Sequence, residues 1–162
     1  MSPSPFWSSL AFDILTSVNI VICCSLDFTH EIKEIADNLI AMGHKVEIPL
    51  TSRRILNGEI TVKQIKTEKE RGVFSDRAIE FDSIRKYWPI IEQGDAILVA
   101  NYNKKGIKDY VGGNSFLEMG FAHILNKPIY LLNDIPTMLY SDEIKAMQPI
   151  ALRGNVNRIK ES

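Results

Sequence analysis

The sequence predicts an α/β domain, a three-layer flavodoxin-like or Rossmann-like sandwich around a five-stranded parallel sheet in the order 2-1-3-4-5. Three observations predict it. The run VNIVICC, Val18 to Cys24, is continuously apolar and rich in β-branched residues, as a strand covered on both faces requires. Similar runs recur as AILVA and PIYLL, with amphipathic segments between them, and strands alternating with helices imply right-handed crossovers. The chain has 162 residues, enough for one core without a disulfide or metal staple.

Taken in order, residues 1–17 (MSPSPFWSSLAFDILTS) form an N-terminal tail and residues 18–162 the domain. The tail lacks the basic start of a secretory signal and is too short and polar to span a bilayer. After the first strand, Ile32, Ile35, Ala36, Leu39 and Ile40 follow helical spacing, with Asp27 or Thr29 as N-cap and Gly43 as stop. Lys45 to Pro49 reads as the second strand. From Thr51 to Ser75 charge dominates, which suggests an insertion able to act as a flap, with one helix near Val62 to Glu70.

Arg77 to Gln93 reads as one long helix with Phe81, Ile84, Trp88 and Ile91 on a shared face and a kink at Pro89. Ala96 to Ala100 is the third strand, Ser115 to Leu125 a helix, Pro128 to Leu132 the fourth strand and Asp142 to Met147 a short helix. Ile150 to Leu152 completes the sheet. In such sheets ligands sit beyond the carboxyl ends of the strands, near the switch point between strands 1 and 3. That directs attention to the loops Ser25 to Thr29 and Asn101 to Gly113, and in the second of them to Asn101 and Tyr102.

The balance of 19 basic and 20 acidic residues leaves a net charge of −1, so no overall field points to a nucleic acid polymer or an anionic membrane. The adjacent Cys23 and Cys24 read as reduced core residues, which suits a cytoplasmic protein. His30, His44 and His123 lack metal-ligand spacing, so no metal is expected.

GGNSFLEMGFAHILNKPIYLL is the most informative stretch. Gly112 and Gly113 allow close backbone approach, and a helix starting at Asn114 or Ser115 turns free N–H groups toward the same spot. Between Ser115 and His123, every residue except Glu118 is apolar or glycine. Ser115 and Glu118 also match an S-x-x-E capping box, in which the glutamate only returns a hydrogen bond to the helix start. A second carboxylate, Asp82, is spaced for a surface pair with Arg85. In the loop NYNKKGIKDYVGGN an aromatic can stack on a base and a lysine can meet a phosphate, although such lysines are often simply solvated.

These segments, CCSLDF, then IEFDSIRKYWPIIEQGDAILVANY, then GGNSFLEMGFAHILNKPIYLL, resemble the nucleoside 2-deoxyribosyltransferase superfamily, which includes the 2'-deoxynucleoside 5'-monophosphate N-glycosidases. The resemblance covers Val18 to Leu132 and is most specific at Glu118, Gly120 and Ala122. It implies that Glu118 is the nucleophile at C1' of the sugar and that Asp82 protonates or holds the leaving base. It implies sugar or phosphate contacts at Ser25 and Asp27, a homodimer or larger homo-oligomer, and no cofactor. Gly112, Gly113, Asn114 and Ser115 stand where family members often carry an Asp-Gly-Thr turn, and Phe28 stands near a common tyrosine. Two other readings remain open: a catalytically silent nucleotide-binding or sensing module, and an assembly protein using the apolar helix Phe116 to Leu125 as an interface.

Overall fold

A computed structural model describes residues 17–159, so all but the last residue of the expected N-terminal tail lies outside the described residues. Five parallel strands, β1 (Asn19–Cys24), β2 (Lys45–Glu47), β3 (Ala96–Ala100), β4 (Ile129–Leu131) and β5 (Ile150–Ala151), form one sheet in the order β2-β1-β3-β4-β5. This is the predicted architecture, strand by strand. β1 and β3 are the centre: Ile20 to Cys24 pair residue for residue with Ala96 to Ala100. All five residues of β3 are buried, which a parallel strand with helices on both faces requires.

Alternate β1 side chains serve the two faces. Ile20 and Ile22 join Leu39 and Ile32 of α1 (Thr29–Ala41), whereas Val21 and Cys23 join a second cluster with Met119 and Ala122 of α6 (Gly113–Ile124). Both clusters are needed because a central strand has no solvated face.

Several local expectations change. Ahead of α1 a 3-10 turn, Leu26–Phe28, leaves Phe28 as N-cap with no side-chain cap, so neither Asp27 nor Thr29 caps the helix. The Thr29 hydroxyl instead donates to Leu26 O at 2.8 Å. Ile40 is 55% exposed and stands off the buried stripe.

The insertion holds two helices rather than one, α2 (Leu50–Leu56) and α3 (Val62–Glu70). Its weak periodicity conceals a satellite core of Ile55, Ile60 and Ile65, against which Leu26 and Phe74 pack. Buried Ser52 ties α2 to the start of α1 through Thr29 Oγ1 at 3.0 Å. Thr61 and Gln64 close a reciprocal capping box at the start of α3.

The expected helix from Arg77 to Gln93 is two helices, α4 (Phe74–Glu80) and α5 (Ser83–Gln93). The break falls at Asp82, in left-handed conformation (φ 46°, ψ 47°), and α5 runs through Pro89. The buried face of α5 is Tyr87 and Ile91, while Phe81 and Ile84 are exposed and Trp88 only half-buried, edge-on to Phe121 at 5.1 Å. A final helix, α7 (Ser141–Ala146), buries Ile144 before β5. Among the described residues no helix is long and apolar enough to cross a membrane.

Candidate functional site

A cavity of about 990 Å³ opens at the carboxyl ends of β1 and β3, the switch point of the sheet. Its walls come from the loop after β1, from α2, α3, α4 and α5 on one side, and from the loop after β3 and the first turns of α6 on the other. The insertion therefore builds a wall of the site.

Glu118 lies on α6, on the turn that faces β1. The helix begins earlier than the Ser-x-x-Glu spacing suggests: Gly112 is its N-cap, without a side-chain cap bond. Glu118 is then the sixth residue of α6, too far along to return a bond to the helix start, so the capping-box reading is replaced by a half-buried glutamate on the cavity wall. Burial pushes its pKa up from 4.5 to about 7, and a hydrogen bond from the Cys23 thiol partly counters the rise. Burial first, and then the Glu118 charge, push the Cys23 thiol well up, so it stays protonated and remains a donor. Tyr87 closes the floor, its hydroxyl donating to Ile22 O at 2.7 Å.

Gly112 and Gly113 line the same cavity, where α6 directs its first backbone N–H groups. A methyl on Gly113 would meet nothing within 4 Å, and one on Gly112 only Tyr110 at 3.7 Å. The fold therefore does not demand glycine at either position; what their missing side chains leave is open wall. Gly94 contrasts with them, since a Cβ there would lie 2.5 Å from Val21 Cγ2.

Of the residues singled out from the sequence, Ser25, Asp27, Gly112, Gly113, Asn114, Ser115 and Glu118 share this cavity. Lys104 joins Ser25 (2.6 Å to Oγ) and pairs with Asp27, whose Oδ1 is buried without a hydrogen-bond partner. Burial opposes ionisation of Asp27, yet the bond and charge of Lys104, with Lys69 and Lys66 behind it, hold its carboxyl below the usual range.

Three expected residues are elsewhere. Asn101 is fully buried and already satisfied: Nδ2 donates to Asp109 O (3.1 Å) and Asp134 O (2.9 Å), and Oδ1 accepts from Asn133 N (2.9 Å). It is a structural clasp between two loops. Tyr102 packs on Phe28 at 4.9 Å, beside the other core cluster. Asp82 lies outside the cavity, its carboxylate 3.2 Å from Arg85 at the surface, because the left-handed break turns it away from the wall that Phe81 and Ser83 line.

Sequence reasoning missed the basic wall: Arg54, Lys66, Lys69 and Arg77 all line the cavity. The signal was the charge density of the insertion, which solvation explains equally well until the helices are docked. No group of histidine, cysteine or acidic residues among the described residues is placed to hold a metal.

Fold and cavity together define a parallel α/β protein with the carboxyls of Asp27 and Glu118 at a cation-lined switch-point pocket. Comparison with protein-family models, curated proteins and solved structures gave no match to the chain.

Proposed function

We propose that the chain cleaves or transfers the N-glycosidic bond of a 2'-deoxyribonucleoside or its 5'-monophosphate, with Glu118 as nucleophile. One observation carries this reading. Of the three acidic side chains on the cavity wall, Asp27, Glu70 and Glu118, the last is the one set deep between α6 and β1, with a thiol rather than a cation as its partner. A carboxylate without a bound cation keeps its electron pair available for a sugar carbon.

In the first step a Glu118 oxygen bonds to C1' as the C1'–N bond breaks, and the base leaves with that electron pair and takes up a proton. In the second, water or another base attacks C1' and releases the carboxylate. Water makes the protein a hydrolase, and a second base makes it a transferase. Asp82 does not line the cavity and is paired with Arg85, whereas Tyr110, Lys69 and Lys105 stand on the cavity wall as candidates to supply the proton. The resemblance in sequence supports the same chemistry and carries with it a homo-oligomer, which mass measurement in solution tests, while the free Cys23 and Cys24 support a cytoplasmic location, which cell fractionation tests.

The direct experiment incubates the protein with deoxynucleosides and deoxynucleoside monophosphates, with and without acceptor bases, and follows free base. Release or exchange that disappears in Glu118→Gln supports the proposal; activity equal in the variant removes it. A glycosyl ester on Glu118, caught by acid quench and intact mass, adds independent support.

The absence of Asp82 from the cavity favours a second reading, a nucleotide-binding module without turnover. Calorimetric binding of an intact nucleotide, unchanged in Glu118→Gln and accompanied by no base release, distinguishes it.

A further inference from the structure

We infer that the cavity holds a nucleotide by an extended di- or triphosphate chain, gripped by Lys66 and Lys69 of α3 and by Lys104 and Lys105 of the loop after β3. The inference rests on the nucleotide reading of the site and sharpens its substrate class beyond a monophosphate.

All four lysines line the cavity, and they come from two separate elements. Lys66 and Lys69 are three residues apart on α3, so they share a face of that helix. Lys104 and Lys105 are presented by a tight turn: Lys104 N donates to Ile107 O at 3.0 Å and Ile107 N returns a bond to Lys104 O at 2.9 Å. The two residues between them, Lys105 (φ 53°) and Gly106 (φ 73°), both take positive φ, the geometry of a type I' turn. Asparagine or glycine suits the first of those positions best, yet a lysine occupies it, at some conformational cost.

The cations are poorly compensated. Among the described residues Lys104 alone of the four forms an ion pair, with Asp27. The Lys69 ammonium lies 5.1 Å from the centre of the Phe74 ring and that of Lys105 5.9 Å from the Tyr110 ring, contacts that leave the charge uncancelled. Burial and then the charge of Lys104 push the Lys69 ammonium down, Asp27 opposes them, and Lys105 and Lys66 add to the repulsion across the cavity. One phosphate is a compact anion and meets one or two lysines. A chain of two or three spreads its charge over several ångströms and relieves the repulsion from both elements together. The volume, about 990 Å³, is at the upper end for a ligand pocket and leaves room for such a chain beside base and sugar.

The test measures binding of orthophosphate, pyrophosphate and tripolyphosphate to the full chain by calorimetry, at low and at physiological salt. Wild type, the double variant Lys66→Ala/Lys69→Ala and Glu118→Gln are compared, with thermal melts confirming that each is folded. Pyrophosphate or tripolyphosphate binding tighter than orthophosphate by about tenfold or more is expected, with that preference lost in the double variant and kept in Glu118→Gln. Equal affinities for the three anions, or a preference that survives the double variant, overturns the inference. Failure of the glycosidic chemistry is read separately: polyphosphate preference without base release sinks the catalytic proposal alone. Base release from monophosphates with no polyphosphate preference sinks only this inference.

Discussion

In the role proposed for it, Glu118 is held between opposing demands: a nucleophile must be ionised, and burial favours its proton. With a pKa raised from 4.5 to about 7, the folded protein binds more protons than the unfolded chain between those values. Stability attributable to this residue is therefore greatest below about pH 4.5 and falls as pH rises toward 7, by about 3 kcal/mol in all. Glu118→Gln should remove that slope, which urea unfolding across pH 4 to 8 measures; an unchanged slope would place the proton elsewhere. For activity the sign reverses, so kcat/KM should climb with pH to a midpoint near 7. Cys23 acts on the same group, since its thiol bond favours the carboxylate. Cys23→Ala should shift the activity midpoint to higher pH while leaving Glu118 in place, and a midpoint that stays fixed would reduce Cys23 to core packing.

At the scale of elements, two features invert their sequence readings. Asp82 looked like a mid-helix residue because Phe81, Ile84, Trp88 and Ile91 keep helical spacing across it. The chain nevertheless stops there, since α4 leans on α3 through the Arg77–Glu68 ion pair while α5 packs with α6. A short polar side chain tolerates the left-handed break better than its neighbours would. In Asp82→Gly relief of the left-handed conformation is offset by the added freedom of the unfolded chain and the lost Arg85 contact, so stability in chemical denaturation should change by no more than about 1 kcal/mol and Glu118-dependent activity should be kept. Lost activity would mean that Asp82 reaches a site in an assembly. Asn101, expected at the ligand, instead spends its amide on Asp109, Asn133 and Asp134. Asn101→Ala leaves the buried Asp109 carbonyl and the partly buried groups of Asn133 and Asp134 without their partner and should cost about 2 kcal/mol, with Tm as the readout.

For the molecule as a whole, the insertion builds one wall of the cavity, because the satellite core of Ile55, Ile60 and Ile65 positions the helix that carries Lys66 and Lys69. Ile65→Ala, at a fully buried position, should cost about 2–4 kcal/mol and weaken anion binding more than it perturbs the five-stranded sheet. Hydrogen exchange that accelerates in 50–80 but not in β1 and β3 would show it. The sequence by itself determined the parallel sheet, its strand order and the helix bearing Glu118. Those depend on side-chain period and on chain connectivity, which are local and rule-bound. Only the tertiary structure decided that Asp82 and Asn101 leave the site, that Ser25, Asp27 and Glu118 share it, and that distant lysines surround it. Such convergence depends on the docking of separate helices, and a one-dimensional charge pattern reads the same whether a lysine faces water or a cavity.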